Sequence, residues 1–436
     1  MPDKVIFFTV ITLMTIGIVF SYSLTPFLMV RYSAGEFNFV LKQLIFTIMS
    51  IFIIWTLSRL QAKDWLHKIG MTMFLGGLFL MVIMNFLPTS IVPSIGGASR
   101  WISILGFSLA PVEFFKIGFV YFISWSMSRK VTVDENHKFK SELVIFFPYL
   151  VIFLISVFFI TVLQKDLGQS VILGGTLIML SYLAGGSGRF IAKIIGGFTF
   201  VFLIFIITFS HRTERIQSWW QLAKTWVPDW LSNIIGIKDG SEPYQISQAL
   251  GSIYNGGFWG VGLGNGIFKY GFLAEAHTDF ILEGIAEELG LFAIIIIFII
   301  FTVLFQRILK VANRSENRSY LLFNIGIALI IGLALLINTY GSTGIIPMKG
   351  IPVPFISYGG SSMLALAFAI GMVLMTSKHS ENQEPTHTQP ETDSNQDSNF
   401  NHYQKSEQQE SWQNQNISQN YYNNRPHHQN RDREEF

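Results

Sequence analysis

The sequence predicts an all-α, polytopic integral membrane protein with about ten transmembrane helices. Three observations predict it. Half of the 436 residues are hydrophobic and only 13% are charged, against about 25% in an ordinary soluble domain. Apolar runs near the ~20 residues that a helix needs to cross a bilayer recur along the chain. The basic residues between those runs gather in alternate loops, as they do when one side of a membrane is the cytoplasm.

In order, the runs are 5–30, 40–58, 69–87, 108–127, 143–163, 167–184, 190–209, 280–305, 320–344 and 361–377. The first is too long for the core of a signal peptide and lacks a small-residue cleavage site, so it counts as a span. Arg59, Lys63 and Lys68 share a side with Arg129, Lys130, Lys138 and Lys140. Arg189 and Lys193 fall there too, as do Arg307, Lys310, Arg314 and Arg318. Isolated cations stand opposite: Arg31, Arg100, Lys165 and Lys349. This distribution puts both termini in the cytoplasm. The chain has no cysteine, which excludes disulfides and thiolate metal sites.

Two regions are not simple spans. Residues 1–377 form the membrane domain, whereas 378–436 read as a disordered cytoplasmic tail rich in Gln and Asn, too polar to bury a core. Five of the nine histidines sit there (His379, His387, His402, His427 and His428), as compositional drift or as a metal site. The second region is a long outer loop, about 210–278, between the seventh and eighth spans. Its Trp219, Trp220, Trp226 and Trp230 suit an amphipathic helix anchored at headgroup level.

Unusual residues concentrate on the side opposite the basic loops. In "EAHTDFILEGIAEELG" (275–290), Asp279, Glu283 and Glu287 recur every four residues, and a helix would line them along one face at the extracytoplasmic mouth, with Glu288 beside them. Burying such charges is expensive, so their placement asks for a reason. "GGASRWISILGFSLAPVEFFKIG" (96–118) carries Arg100 beside Trp101, which fits a phosphate near the membrane surface or a snorkelling anchor. Its Glu113 and Lys116 are i, i+3 neighbours, placed for an ion pair or a ligand. "VLQKDLGQS" (162–170) leaves Gln164, Lys165 and Asp166 in a short turn, with Asp166 able to cap the next helix.

"GIIPMKGIPVPFISYGGSSML" (344–364) places three prolines and four glycines between apolar runs, along with Lys349, Ser357, Tyr358, Ser361 and Ser362. Backbone this irregular at membrane depth is tolerated where protein buries it or it lines a wet cavity, so a re-entrant or cavity-lining segment is expected; a plain surface turn is the alternative. "GVGLGNG" (260–266) is not a phosphate loop, because no strand precedes it and no Gly-Lys-Ser/Thr follows. Neither nucleotide nor nucleic acid is an expected partner. The chain either moves something across the membrane or acts on a donor that brings its own leaving group.

Taken together, "EAHTDFI…AEELG", "SRWI…PVEFFK" and "KGIPVPFISYGGSS", in this order, resemble the shape, elongation, division and sporulation family of bacterial membrane proteins, typified by FtsW, RodA and SpoVE. The resemblance runs from the first span to about residue 377. Within the family, "EAHTDFI", "SRWI" and "MKG" are more similar to the division member than to the elongation member. It implies a glycosyltransferase of the cytoplasmic (inner) membrane, at the division septum. The enzyme would polymerise lipid II, the undecaprenyl-pyrophosphate disaccharide-pentapeptide, into peptidoglycan. Implied partners are a class B penicillin-binding protein and other division proteins.

The resemblance places the catalytic aspartate at Asp279, as general base, with Thr278 capping the eighth helix and Asp279 ionised in its first turn. It implies a pyrophosphate held by Arg100, Lys116 and Lys349, with Mg²⁺ or Mn²⁺ as bridging ions. The remaining candidate substrate-binding residues are Trp101, Glu113, Gln164, Asp166, His277, Thr278, Ser357, Gly359, Gly360 and Ser361.

The chain also departs from the family pattern. Val112 replaces a serine, Lys165 a proline and Glu283 an apolar residue. Rival readings are a lipid II flippase, an ion-coupled transporter, a scaffold for a synthase and an elongation-type polymerase.

Overall fold

In hydrocarbon every backbone N–H and C=O must be paired within the protein, so apolar runs of this length become helices. The computed structural model describes residues 3–26, 37–94, 98–104, 107–131, 139–197, 219, 244–273, 275–348 and 350–381. The chain divides into two compact units, Met1–Asn382 and Gln383–Phe436, and all described residues belong to the first. Arg31, Lys138, Lys349, Trp220, Trp226, Trp230, residues 198–209 and the tail beyond Glu381 lie outside the described residues.

The helices are α1 Lys4–Ser23, α2 Asn38–Arg59, α3 Ala62–Ile83, α4 Pro111–Lys130, α5 Phe139–Val157, α6 Leu167–Leu183, α7 Tyr244–Gly256, α8 Ile281–Asn313, α9 Arg318–Ser342 and α10 Gly360–Glu381. Nine of them, α1 to α6 and α8 to α10, fall on expected runs; residues 188–197, at the start of the seventh run, are also helical. Among the described residues, seven are long and apolar enough to cross a membrane: α1, α2, α3, α5 with its continuation to Leu163, α8, α9 and α10. The other two matched helices differ. α4 carries Glu113, Lys116, Arg129 and Lys130, and α6 has only 17 residues.

α3 packs on α4, α2 on α10, and α9 on α4, α6 and α8. The apolar window of α10 is 67% buried, against 28% for α2, α5 and α8, so α10 is central and the others are peripheral. One end of the bundle collects the cations. Arg307 pairs with Asp3 at 2.9 Å, and Arg318 donates to the carbonyls of Ala184 and Val131. Lys378 donates to the carbonyl of Arg59. The opposite end holds the unusual residues.

Three features differ from the sequence reading. Residues 108–110, at the start of the fourth expected run, are not helical: β1 Ile102–Ile104 and β2 Phe107–Leu109 pair antiparallel, with Ser103 opposite Ser108. α4 starts only at Pro111, where a missing N–H costs nothing. Part of the expected outer loop is the amphipathic α7, which buries Ile246, Ala249, Ser252 and Gly256 against α8.

The third difference is that α8 is broken. Gly290 has φ 76° and ψ 179°, far from helical values. The backbone groups released there bind residues 257–262. Leu291 and Phe292 N–H donate to the carbonyls of Gly257 and Phe258, while Val261 and Gly262 N–H donate to those of Glu287 and Glu288. A Cβ on Gly290 would meet the Phe258 carbonyl oxygen at 2.2 Å, and one on Gly260 (φ 80°) the Glu288 carbonyl oxygen at 2.3 Å. Only glycine fits at either crossing.

Candidate active site

Asp279 lies in the turn before α8, not in its first turn. Glu275 has φ 56°, and its carbonyl accepts from Thr278, Asp279 and Phe280 N–H at 3.0, 3.1 and 3.3 Å. The helix starts at Ile281 with Phe280 as its uncapped boundary residue. Thr278 does not cap it, because its hydroxyl turns back to the Glu275 carbonyl and carboxylate.

Residues 350–358 and α9 hold this turn from outside. Tyr358 N–H donates to the His277 carbonyl at 2.9 Å, the Ser357 hydroxyl to that of Thr278 at 2.6 Å, and Asn338 Nδ2 to that of Asp279 at 2.7 Å. Three successive carbonyls are therefore fixed by three separate donors. Asn338 also donates to Ile351 O at 2.8 Å, joining the two segments. The Asp279 carboxylate rests against the backbone of Gly350, where a Cβ would come within 2.7 Å of Oδ2. The Pro-rich segment is irregular backbone packed into the protein: Ile351, Val353, Phe355 and Ile356 are buried.

The second half of the site is the turn at 164–166. A π-helical stretch, Phe158–Leu163, delivers the chain to it, an insertion often found at functional sites. Arg100 Nε donates to Gln164 O at 3.1 Å and a terminal nitrogen to Lys165 O at 2.8 Å. A further Arg100 nitrogen lies 3.6 Å from Asp166 Oδ2. Asp166 caps α6, accepting from Gln169 N–H. Lys165 has φ 54°, a value a proline ring cannot adopt. The turn is therefore a different conformation from a proline turn, not a looser copy of one.

These two halves feel each other electrostatically. Burial pushes the Asp279 carboxyl up to about 7, helped by the negative charges of Glu275 and Asp166 and opposed by Arg100. The expected helix-end stabilisation of its anion does not control it. Burial likewise raises Asp166, against Arg100. It lowers His277, which packs against the rings of Phe39 and Tyr358, at 6.3 and 5.6 Å.

The other expected site residues separate into groups. Glu113 and Lys116 form an ion pair of 3.0 Å that Gln169 closes on both sides, at 2.6 Å to Lys116 and 3.0 Å to Glu113. Their charges still act on Asp166. Ser361 is a latch: its hydroxyl donates to Ser108 O and accepts from Ala110 N–H. Gly360 makes room for the Phe46 ring, and the Gly359 carbonyl accepts from Ser362. Gln164 Nε2 meets Met84 Sδ. Trp101 is half-buried beside β1.

The expected row of acids does not form. Glu283 accepts from Ser342 at 2.5 Å; Glu287 accepts from Asn255 and the N–H of Ile267 and Phe268; Glu288 accepts from Ser23 and Lys269. All three are buried structural acids. Sequence reasoning missed Asn338, Gly350 and Glu275. Glu275 and Gly350 carried a local signal, each inside a family-like motif; Asn338, within an apolar run, carried none.

Among the described residues no three His, Asp or Glu side chains gather as a metal cage. Glu275, exposed in the same turn as Asp279, can supply a carboxylate to a magnesium-like ion whose other ligands come from outside the protein, the usual way such ions are held.

Fold and site define a polytopic helical membrane protein with an acid–arginine site at the end of the bundle opposite its cations. The chain belongs to the FtsW/RodA/SpoVE family of cell cycle proteins, which matches residues 3–382. It is 42% identical over 384 residues to the probable peptidoglycan glycosyltransferase FtsW of Helicobacter pylori, covering 87% of this chain and 99% of that one. The protein of the same description from Geobacter metallireducens is 32% identical over 384 residues, covering 86% and 94%.

Two solved structures share the fold at 18% identity. One is a chain of a peptidoglycan synthase complex that coordinates polymerization and crosslinking (TM-score 0.64, covering 87% of this chain and 98% of that one). The other is the rod shape determining protein RodA of Thermus thermophilus (TM-score 0.57, covering 86% and 97%).

Proposed function

We propose that the chain is a peptidoglycan glycosyltransferase that polymerises lipid II during cell division, with Asp279 as general base. The observation that carries this reading is the state of that carboxylate. Its turn is fixed by three donors to backbone carbonyls, yet the carboxylate itself accepts no hydrogen bond from the described residues. It is positioned and free to take a proton.

Asp279 accepts the proton of the GlcNAc 4-hydroxyl as that oxygen attacks C1 of a second lipid II. The C1–O4 bond forms, the C1–pyrophosphate oxygen bond breaks, and undecaprenyl pyrophosphate leaves with the electron pair. Arg100, held over the 164–166 turn, orients the pyrophosphate; Lys349 is a second candidate for it. Glu275, together with the phosphate oxygens, would hold a Mg²⁺ or Mn²⁺ ion, whose charge would stabilise the leaving group.

The distribution of loop cations supports a site that faces outward from the bacterial inner membrane with both termini cytoplasmic, as suits septal synthesis beside a class B penicillin-binding protein. Residues 1–377 act as the catalytic domain and 378–436 as a cytoplasmic tail.

The break at Gly290 is the observation that favours transport, because transporters use the free ends of broken helices to hold substrates. Here residues 257–262 already occupy those ends, which favours chemistry. Purified protein given lipid II, with and without its cognate penicillin-binding protein, should make glycan polymer visible by electrophoresis. Transbilayer movement of lipid II without any polymer in either reaction would overturn the assignment.

A further inference from the structure

The residues that fill the break in α8 also form an exposed apolar surface at the site end of the bundle. Tyr254 is 90% exposed and Trp259 74%, with Phe258, Leu263 and Ile267 each about half exposed. From Tyr244 to Phe268 no side chain is charged. An apolar cluster of this kind on a soluble surface is unusual and marks something that covers it.

The loop cannot fold these side chains inward. Its backbone is tied to Glu287, Glu288, Leu291 and Phe292 by four hydrogen bonds. Behind it, Glu287 accepts from Asn255 at 2.9 Å and Ile267 N–H at 2.7 Å, and Lys269 forms a buried pair with Glu288 at 2.8 Å.

The depth of the loop follows from two helices. α1 runs from Asp3, paired with Arg307, to Ser23, bonded to Glu288. Its 20 residues span about 30 Å at 1.5 Å each, which is the thickness of the hydrocarbon core. Gly290 and the loop across it therefore lie where the core meets the headgroups. The apolar surface is also continuous with the outside of α8: the rings of Trp259 and Phe258 pack at a tilt against Phe292 at 5.6 and 6.3 Å, and Phe292 is itself exposed.

We propose that Tyr254–Ile267 is a rigid interfacial anchor that rests its apolar side chains in the lipid leaflet at the site end, at the level of the headgroup–acyl boundary. Amphipathic aromatic rings favour that level. The absence of charge suits lipid better than a polar protein rim. The anchor, through the backbone bonds to α8, holds the outer half of that helix at a set height on the bilayer.

Because the chain lacks cysteine, single-cysteine variants report without background. Tyr254→Cys, Trp259→Cys and Leu263→Cys, with Glu316→Cys as the exposed reference at the basic end, are placed in phospholipid nanodiscs. They are treated with a charged, membrane-impermeant maleimide, and spin-labelled samples are compared for relaxation by oxygen and by a water-soluble nickel chelate.

The loop positions should react about tenfold more slowly than position 316, equivalent to ~1.4 kcal/mol of protection, and should favour oxygen over nickel. Three positions keep the test alive if one variant fails to fold. Reaction as fast as at 316 would place the loop in water and overturn the proposal. Protection that appears only when a purified penicillin-binding protein is added would overturn it too, assigning the surface to a protein partner.

Discussion

Asp279 and Glu288 are nine residues apart in one acidic motif, yet they live in opposite environments. Glu288 is fully buried and accepts from the Ser23 hydroxyl and the Lys269 ammonium, at 2.7 and 2.8 Å. Asp279 is half-buried, with its backbone fixed and its carboxylate left without a donor among the described residues. A satisfied acid holds structure; a positioned, unsatisfied one is available for chemistry.

The sharpest break of this comparison is Asp279→Asn. Polymerisation of lipid II should fall by roughly 10²–10⁴-fold, the usual worth of a general base, with thermal unfolding unchanged. Wild-type polymer yield would end the general-base assignment. The mirror experiment is Lys269→Met. It strands a buried carboxylate and should destabilise the protein by ~3–5 kcal/mol, seen as a lower unfolding midpoint in detergent. An unchanged midpoint would show that Glu288 is not held by that pair.

The pH profile sharpens the contrast next. Asp279 works only as the carboxylate, and burial has raised it to about 7. The rate should therefore rise with pH through about 7, falling about tenfold per unit well below it. A rate flat from pH 5 to 8 would contradict a base raised to about 7.

Arg100→Ala follows. Losing a charged donor at the pyrophosphate should raise the lipid II KM about tenfold. It should also move the acid limb upward, because Arg100 opposes the rise of Asp279. An unmoved limb with normal KM would make Arg100 a clamp on the 164–166 turn alone. The smallest effect belongs to Glu283→Gln, whose amide oxygen still accepts from Ser342. Activity should change by less than roughly fivefold, about 1 kcal/mol; a loss as deep as that of Asp279→Asn would move Glu283 into the reaction.

The spans were legible because apolar length is a local property, and so were two local polar relations: the Asp166 cap and the Glu113–Lys116 pair. Pairings across the chain were not. Lys269 meets Glu288, Asn338 meets Asp279, and Gly350 meets the same carboxylate, all through contacts that no periodicity announces. The break at Gly290 had only a faint mark, one glycine inside an apolar run. Its cause lay about 30 residues upstream in the glycines of 257–264. The four-residue spacing of the acids was real, but each was claimed by a different neighbour.

That same break sets an order of manufacture. A ribosome releases residues 257–262 before Gly290, and about 30 residues at roughly 5–20 per second amount to a lead of a few seconds. The segment that completes α8 is therefore waiting when the helix arrives. Its free amides and carbonyls, costly in a bilayer, need never meet lipid. A chain expressed as two pieces divided near residue 273 should assemble when the first piece is made first, and poorly when the second is left to enter the membrane alone.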